Sequence, residues 1–114
     1  MIKHIVFWTF HEQADGADKA ANLTRAKALL DACASLVPGT LAFEVAIAQP
    51  GMDCTYDLVL YSAFEDQAAL DAYQNHPQHV ALKPFMSAAR KERQCMDYTC
   101  LLYTSDAADE GLGV

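Results

Sequence analysis

The chain has 114 residues, a length that fits one domain and leaves no room for two. Hydrophobic residues make up 53% of it, which argues against disorder over most of the chain. The net charge is −7, and the richest basic run is the stretch 90–93 (RKER), which we interpret as a solvated helix end. Nucleic acid is therefore excluded as a partner, because phosphate binding requires clustered cations.

The four cysteines carry no metal-binding signature. They form no C-x-x-C pair, and no closely spaced Cys/His ligand set accompanies them, so we predict neither a metal nor another cofactor. Residues 1–10 are apolar but too short to span a membrane, and no signal-peptide cleavage pattern follows them. We therefore expect a protein of the reducing cytoplasm with no membrane partner.

The first predicted element is a strand over residues 4–10, rich in β-branched and aromatic residues. A helix follows, with Asp15 as its expected N-cap and Asp18 in its first turn. Its buried stripe recurs at steps of three and four residues and comprises Leu23, Ala26, Leu30, Cys33 and Val37. The pair Pro38-Gly39 ends this helix.

Two more strands are predicted over residues 40–48 and 56–62, from alternating apolar positions. A second helix opens at Glu65 and Asp66, and Pro77 interrupts it. Helical turns continue over residues 78–89, with Val80, Phe85 and Ala88 expected to pack, and a last strand covers residues 94–99. The order βαββαβ predicts an α+β, ferredoxin-like antiparallel sheet with its helices on one face.

The first strand is apolar on both faces, which predicts a homodimer. Two helices can cover one face of a four-stranded sheet, and we assign Val6, Trp8 and Phe10 to the other. Burying each such side chain is worth roughly 1.5–3 kcal/mol. A second copy packing sheet against sheet would cover this apolar surface.

Three stretches of the sequence resemble the stress-response A/B barrel (Dabb) family. They are MIKHIVFWTF at residues 1–10, YDLVLYS with FED at residues 56–66, and AYQNHPQHV at residues 72–80. The resemblance covers residues 1–99 and implies a dimeric α/β barrel with no settled biochemical role. A plant polyketide cyclase that makes olivetolic acid belongs to the family. The chain looks similar to it at His4, Tyr73 and His79, which match its pocket histidine, its pocket tyrosine and its catalytic histidine.

This resemblance leaves three functions open. In the first, the barrel binds a small apolar or aromatic molecule, with His4, Val6, Trp8 and His76 as its contacts. In the second, the protein is a polyketide-cyclase-like or lyase enzyme in which His79 is the general base and Tyr73 donates a hydrogen bond. In the third, it is a structural stress protein whose barrel is filled by side chains.

The spacing of Tyr73, His76 and His79 at intervals of three bears on these alternatives. Pro77 suits the first position of a new helix, which makes His76 the N-cap and places His79 in the first turn. The positive end of a helix disfavours imidazolium, so His79 is expected to be neutral, as a general base must be. The alternative is that His76 caps a helix, His79 packs at the dimer interface and Tyr73 belongs to the core. An H-x-x-H metal site is disfavoured by Pro77 and by the lack of a third ligand.

Residues 100–114 do not fit the domain. From Cys100 to Glu110 they resemble the in-frame translation of a sequencing adapter, and they have no counterpart in the family. We therefore interpret residues 100–114 as a non-native tail, whose first residues extend the last strand and whose remainder is disordered.

Overall fold

The structure is a computed structural model that describes residues 1–100. Its elements follow the predicted order, with a small hairpin added before the first helix and the later helical region divided into three helices. They are β1 Ile2–Phe10, β2 Gln13–Ala14, β3 Ala17–Asp18, α1 Lys19–Asp31, β4 Thr40–Ile47, β5 Leu58–Phe64, α2 Gln67–Asn75, α3 Pro77–Val80, α4 Lys83–Ala89 and β6 Arg90–Thr99. The predicted ferredoxin-like α+β fold is confirmed.

The main sheet has four antiparallel strands in the order β4-β5-β1-β6. Strand β1 lies in the middle, paired with β5 on one side and with β6 on the other. The sheet of a single chain is open, so a second sheet is needed to close a barrel. The helices pack on one face only, where α1 and α2 share a core with β1 and β5.

The two faces of β1 are opposite to the predicted ones. Val6, Trp8 and Phe10 are 1%, 5% and 2% exposed and belong to the core under the helices. The uncovered face instead carries Ile5 and Phe7, and Phe7 is 38% exposed. The prediction that Val6, Trp8 and Phe10 face a second copy is therefore wrong. Strand periodicity separates two faces but does not say which one the helices cover.

Helix α1 begins later than predicted. Asp15 and Gly16 both have positive φ, 51° and 79°, and form the turn of the β2–β3 hairpin, as Asp-Gly pairs often do in tight hairpins. Asp18 is the N-cap, and its carboxylate accepts a hydrogen bond from the Ala21 N–H at 2.9 Å. The helix ends at Asp31, so Cys33 is buried beyond its end.

The segment between α2 and the last strand also differs from the prediction. Phe85 packs as expected, whereas Val80 and Ala88 are exposed. Leu82, Met86 and Ala89 take their places in the core. The run 90–93 begins β6 instead of ending a helix. The strand was predicted to begin at residue 94. The charged residues before it gave no signal that β6 begins four residues earlier, at Arg90.

Within residues 1–100, no helix has the length and apolar character needed to cross a membrane. The Cys100 N–H donates to the Met1 carbonyl at 2.9 Å, continuing the β1–β6 pairing by one residue. The rest of the proposed tail, residues 101–114, lies outside the described residues, and its non-native origin stays a prediction.

Candidate functional site

A cavity of about 390 Å³ lies between the sheet and the helices, and opens to solvent. Strands β1, β5 and β6 form one wall, and residues of all four helices form the other. Five of the six predicted site residues line it: His4, Val6, Trp8, Tyr73 and His79. These lining residues lie between the sheet and the helices of one chain. The sequence had suggested a lumen enclosed by two copies.

His79 is held in a defined tautomer on α3. Its Nδ1 lies 3.0 Å from the Gln74 carbonyl oxygen. Because a carbonyl can only accept, Nδ1 carries the proton and Nε2 keeps a free lone pair. Burial lowers the pKa of His79 below its ordinary 6.5, and the positive charges of Lys83 and Arg93 lower it further, against the opposing effect of the Gln74 carbonyl. The ring is therefore a neutral base near pH 7.

Tyr73 on α2 lies beside His79, with ring centroids 4.6 Å apart. The rings of Phe43 and Phe64 pack against the same tyrosine ring, with centroid-to-centroid distances of 5.8 and 5.2 Å. Burial raises the pKa of the Tyr73 phenol well above its ordinary value, so it stays protonated. Its hydroxyl is buried and has no hydrogen-bond partner among the described residues. It is therefore an unpaired donor at the wall of the cavity.

His4 lies on β1, opposite Asp97 on β6, and is 3% exposed. Its Nδ1 is 2.5 Å from the Asp97 carboxylate. The carboxylate accepts from Nδ1–H, which fixes the ring and leaves Nε2 for other contacts. Ser62 donates to the His4 carbonyl at 2.7 Å and braces the backbone at this point. The family resemblance singled out His4, but the sequence reasoning gave Asp97 no role in the site.

His76 does not line the cavity. It is the N-cap of α3, where its Nδ1 accepts a hydrogen bond from the Gln78 N–H at 3.1 Å, and Pro77 holds the first helical position. Its placement follows the capping interpretation of the sequence. No group of three or more potential metal ligands occurs among residues 1–100.

Three cations that the sequence analysis did not assign to the site also line the cavity: Lys83, Arg90 and Arg93. Arg93 pairs with Trp8 across the β1–β6 ladder, so both lie on the cavity side of the sheet. The alternation of Arg93, Cys95 and Asp97 along one strand face was the available signal. It was missed because residues 90–93 were assigned to a helix end.

The arrangement has two chemical capacities. Val6, Trp8 and Tyr73 offer apolar and aromatic contact area to a small molecule. The free Nε2 of His79 and the unpaired hydroxyl of Tyr73 are a base and a hydrogen-bond donor on adjacent rings. A base and a donor placed side by side are what proton removal next to a carbonyl group requires.

The sequence profile of the stress responsive A/B barrel domain (Dabb) family matches residues 2–100. The chain belongs to this family. The Dabb segment at residues 72–80 supplies two of the rings at the cavity, Tyr73 and His79. No curated protein matches the chain, so its similarity to the plant olivetolic acid cyclase stays a prediction.

Solved structures with the same fold include two proteins described as ferredoxin-like, one of which is a Dabb family protein. A dimeric protein of unknown function and ferredoxin-like fold from Bacteroides fragilis is 26% identical with a TM-score of 0.70, covering 85% of this chain and 93% of its own. A Dabb family protein with a ferredoxin-like fold from Mesorhizobium loti is 28% identical with a TM-score of 0.63, covering 88% and 96%.

An antibiotic biosynthesis monooxygenase also has this fold. It is 20% identical with a TM-score of 0.66, and the alignment covers 89% of this chain and 99% of that one. At this identity the likeness concerns the fold alone, because one fold carries many unrelated activities.

Proposed function

We propose that this Dabb domain binds a small apolar or aromatic molecule in the cavity between its sheet and helices. The observation that carries the proposal is the open cavity of about 390 Å³ beside Tyr73 and His79. Its volume lies in the range of small-molecule sites, roughly 300–1,000 Å³. The third alternative, a barrel filled by side chains, is disfavoured by this space. Trp8 forms part of the wall and does not fill it.

A homodimer is the second part of the proposal. The uncovered sheet face carries Phe7, Met96 and Tyr98, which are 38%, 65% and 39% exposed. These residues share one face because Ile5 pairs with Met96 and Lys3 with Tyr98. A related solved protein with this fold is described as dimeric. A second copy of the chain on this face would bury the three side chains and leave each cavity within its own subunit.

Binding is tested with N-phenyl-1-naphthylamine, a neutral aromatic dye that fluoresces in apolar surroundings. Ser87 on α4 is exposed and lines the cavity, so Ser87→Trp should occupy the space with its indole ring. The adjacent Ala88 is exposed and is not part of the cavity wall, which makes Ala88→Trp the matched control. We expect the wild type and Ala88→Trp to bind the dye, and Ser87→Trp to bind about tenfold more weakly, a loss of about 1.4 kcal/mol.

Two results would contradict the binding proposal. Equal affinity of Ser87→Trp and wild type would place the dye outside the cavity. No binding by the wild type would mean that the cavity does not admit an aromatic molecule of this size.

The tautomer of His79 supports a second candidate, general-base chemistry on a carbonyl compound. The Nε2 of His79 would take a proton from the carbon next to a carbonyl group. The hydroxyl of Tyr73 would donate a hydrogen bond to the oxygen on which negative charge develops. An intramolecular ring closure of a polyketide would begin with this step, as would a lyase reaction of the same chemical type.

This candidate is tested by proton–deuterium exchange at the central carbon of 1-phenyl-1,3-butanedione in D₂O, followed by NMR. If His79 is a base, His79→Ala should lower the enzyme-dependent exchange rate by about 10²-fold or more. Tyr73→Phe should lower the rate by about tenfold, since one hydrogen bond to the developing charge is lost. His11→Ala is the control, because this exposed histidine lies outside the cavity wall, and it should leave the rate unchanged. Equal rates for all four proteins would refute the base assignment and leave the binding function standing.

A further inference from the structure

We propose that the molecule bound in the cavity carries an anionic group, such as a carboxylate, and that Lys83, Arg90 and Arg93 recognise it. The inference rests on the binding function proposed above and specifies the chemical class of the ligand. It follows from where the few cations of this acidic chain are placed.

The register of β6 places two of these cations at the cavity. Arg90 pairs with Phe10 and Arg93 pairs with Trp8, and both partners on β1 are buried beneath the helices. Directly paired residues of an antiparallel ladder share a face, so the two arginines project to the helix side of the sheet. Lys83 reaches the same space from the first residue of α4. Cations from a strand and from a helix therefore converge on one opening.

The charges around the cavity contrast with those of the chain as a whole. The sequence has fifteen Asp and Glu residues and eight Lys and Arg residues, yet the cavity wall contains three of these cations and no acidic residue. Asp97 is the acid on the same face of β6 as Arg93, and its carboxylate accepts a hydrogen bond from the His4 ring, whereas Glu92 pairs with Thr9 on the other face. The opening is therefore a local positive region on an acidic protein, which favours an anionic ligand.

The three cations have no ion-pair partner within residues 1–100. Lys19, Arg25 and Lys27 do have one, with Nζ–O or Nη–O distances of 3.2, 2.9 and 2.7 Å. The positive charges of Lys83 and Arg93 also lie near enough to His79 to lower its pKa. All three cations are thus available to bind an anionic group. Lys83 and Arg93 also lie close to the interior of the cavity.

The chemistry of the wall predicts how the ligand is oriented. Arg90 is half-buried and Arg93 is exposed, whereas Val6, Trp8 and Leu60 are buried. An arginine fork binds a carboxylate with two parallel N–H···O bonds. The anionic group would lie at the mouth beside the arginines, and the apolar body would extend inward along Trp8 toward Tyr73.

Two dyes with one skeleton test this inference. N-phenyl-1-naphthylamine is neutral, and 1-anilinonaphthalene-8-sulfonate adds one sulfonate to the same rings. We expect wild-type protein to bind the sulfonate more tightly. Arg93→Gln should weaken sulfonate binding about fivefold and leave the neutral dye within about twofold. The double variant Arg90→Gln/Arg93→Gln should weaken sulfonate binding further, by about tenfold or more in all.

Lys91→Gln is the matched control, since it removes one charge from the same strand at a residue outside the cavity wall. It should change neither affinity. Arg93→Lys keeps the charge without the fork and should recover part of the sulfonate affinity. Far-UV circular dichroism verifies that each variant is folded.

Equal affinities of the two dyes in wild type, unchanged by the arginine variants, would overturn the anionic-ligand inference and leave the binding function intact. Equal weakening by Lys91→Gln and Arg93→Gln would also overturn it, because the effect would then reflect net charge alone. If neither dye binds wild-type protein, the binding function itself fails, and the inference fails with it.

Discussion

The Tyr73 hydroxyl is buried among aromatic rings without a hydrogen-bond partner within residues 1–100. Leaving a buried polar group unpaired costs about 1–3 kcal/mol, which a binding site can recover when a ligand supplies the partner. Tyr73→Phe should therefore raise the free energy of unfolding of the unliganded protein by about 1 kcal/mol. Urea denaturation measures this change.

Tyr61→Phe is the control for this variant, since Tyr61 is half-buried on the uncovered face of the sheet. It should change stability by less than about 0.5 kcal/mol. A loss of more than about 1 kcal/mol in Tyr73→Phe would show that the hydroxyl makes a stabilising contact in the free protein, and would contradict its role as an available donor.

His79 makes stability depend on pH. Its folded-state pKa lies below the value of about 6.5 expected when unfolded, mainly because of burial and also because of the positive charges of Lys83 and Arg93. The unfolded chain therefore binds the proton more readily. Stability is undiminished above pH 6.5, falls as the pH drops below it, and levels off beneath the folded-state pKa.

The corresponding measurement is urea denaturation of the wild type and His79→Gln at pH 7.5 and 5.5. The wild type should lose more stability than the variant between the two pH values, while titration of the other histidines affects both proteins. An equal loss would mean that His79 titrates alike in the folded and unfolded states.

Some residues of the candidate site could be predicted from the sequence, and the structure shows why the others could not. Tyr73 and His79 were identified because the family resemblance marks them and their spacing places them near one helix junction. His4 follows from the resemblance alone. Asp97 and Arg93 were missed because their roles depend on the register between β1 and β6, a pairing of residues about ninety positions apart that local patterns do not specify.

At the scale of elements, the N-terminus of α1 offers a direct test of the observed boundary. Asp18 caps the helix, and Asp15 forms the hairpin turn and a partly exposed ion pair with Arg25. Asp18→Ala should lower the free energy of unfolding by about 1 kcal/mol. Asp15→Asn keeps a residue that tolerates positive φ and should change it by less than about 0.5 kcal/mol. The reverse order in thermal or urea unfolding would restore Asp15 as the cap.

The order of the elements could be predicted from the sequence, whereas several boundaries could not. Alternation identified β4 almost to the residue, because its apolar face is regular. The Asp15-Gly16 pair fits both a helix start and a tight hairpin. Only contacts in the folded chain distinguish the two, such as the hydrogen bond from the Asn22 side-chain amide to the Ala14 carbonyl at 2.8 Å. The start of β6 is hidden because its first residues are charged and exposed.

For the molecule as a whole, the proposed homodimer depends on the uncovered sheet face. Sedimentation velocity at micromolar concentration should give a dimer for the wild type and a monomer for Phe7→Asp, since a charge would be buried at the interface. Val80→Asp is the control, because Val80 is similarly exposed, at 43%, on the helix side. A monomeric wild type, or dissociation by Val80→Asp as readily as by Phe7→Asp, would contradict the proposed interface.

The homodimer stays a proposal, and the residues first assigned to its interface, Val6, Trp8 and Phe10, were wrong. A strand that is apolar on both faces needs a covering layer on both. This holds whichever of the two faces the helices cover. Because the helices cover Val6 and Trp8, the surface left for a partner is less apolar than expected and centres on Phe7. Because the cavity lies between the sheet and the helices of one chain, we expect that binding does not require the dimer.

We propose that the cavity beside Tyr73 and His79 is a binding site, and a crystal structure with soaked N-phenyl-1-naphthylamine would show the ligand in place. We predict density for the dye between the sheet and the helices, in contact with Trp8 and Tyr73. Density confined to the uncovered face around Phe7, with the cavity empty at a saturating dye concentration, would contradict the claim.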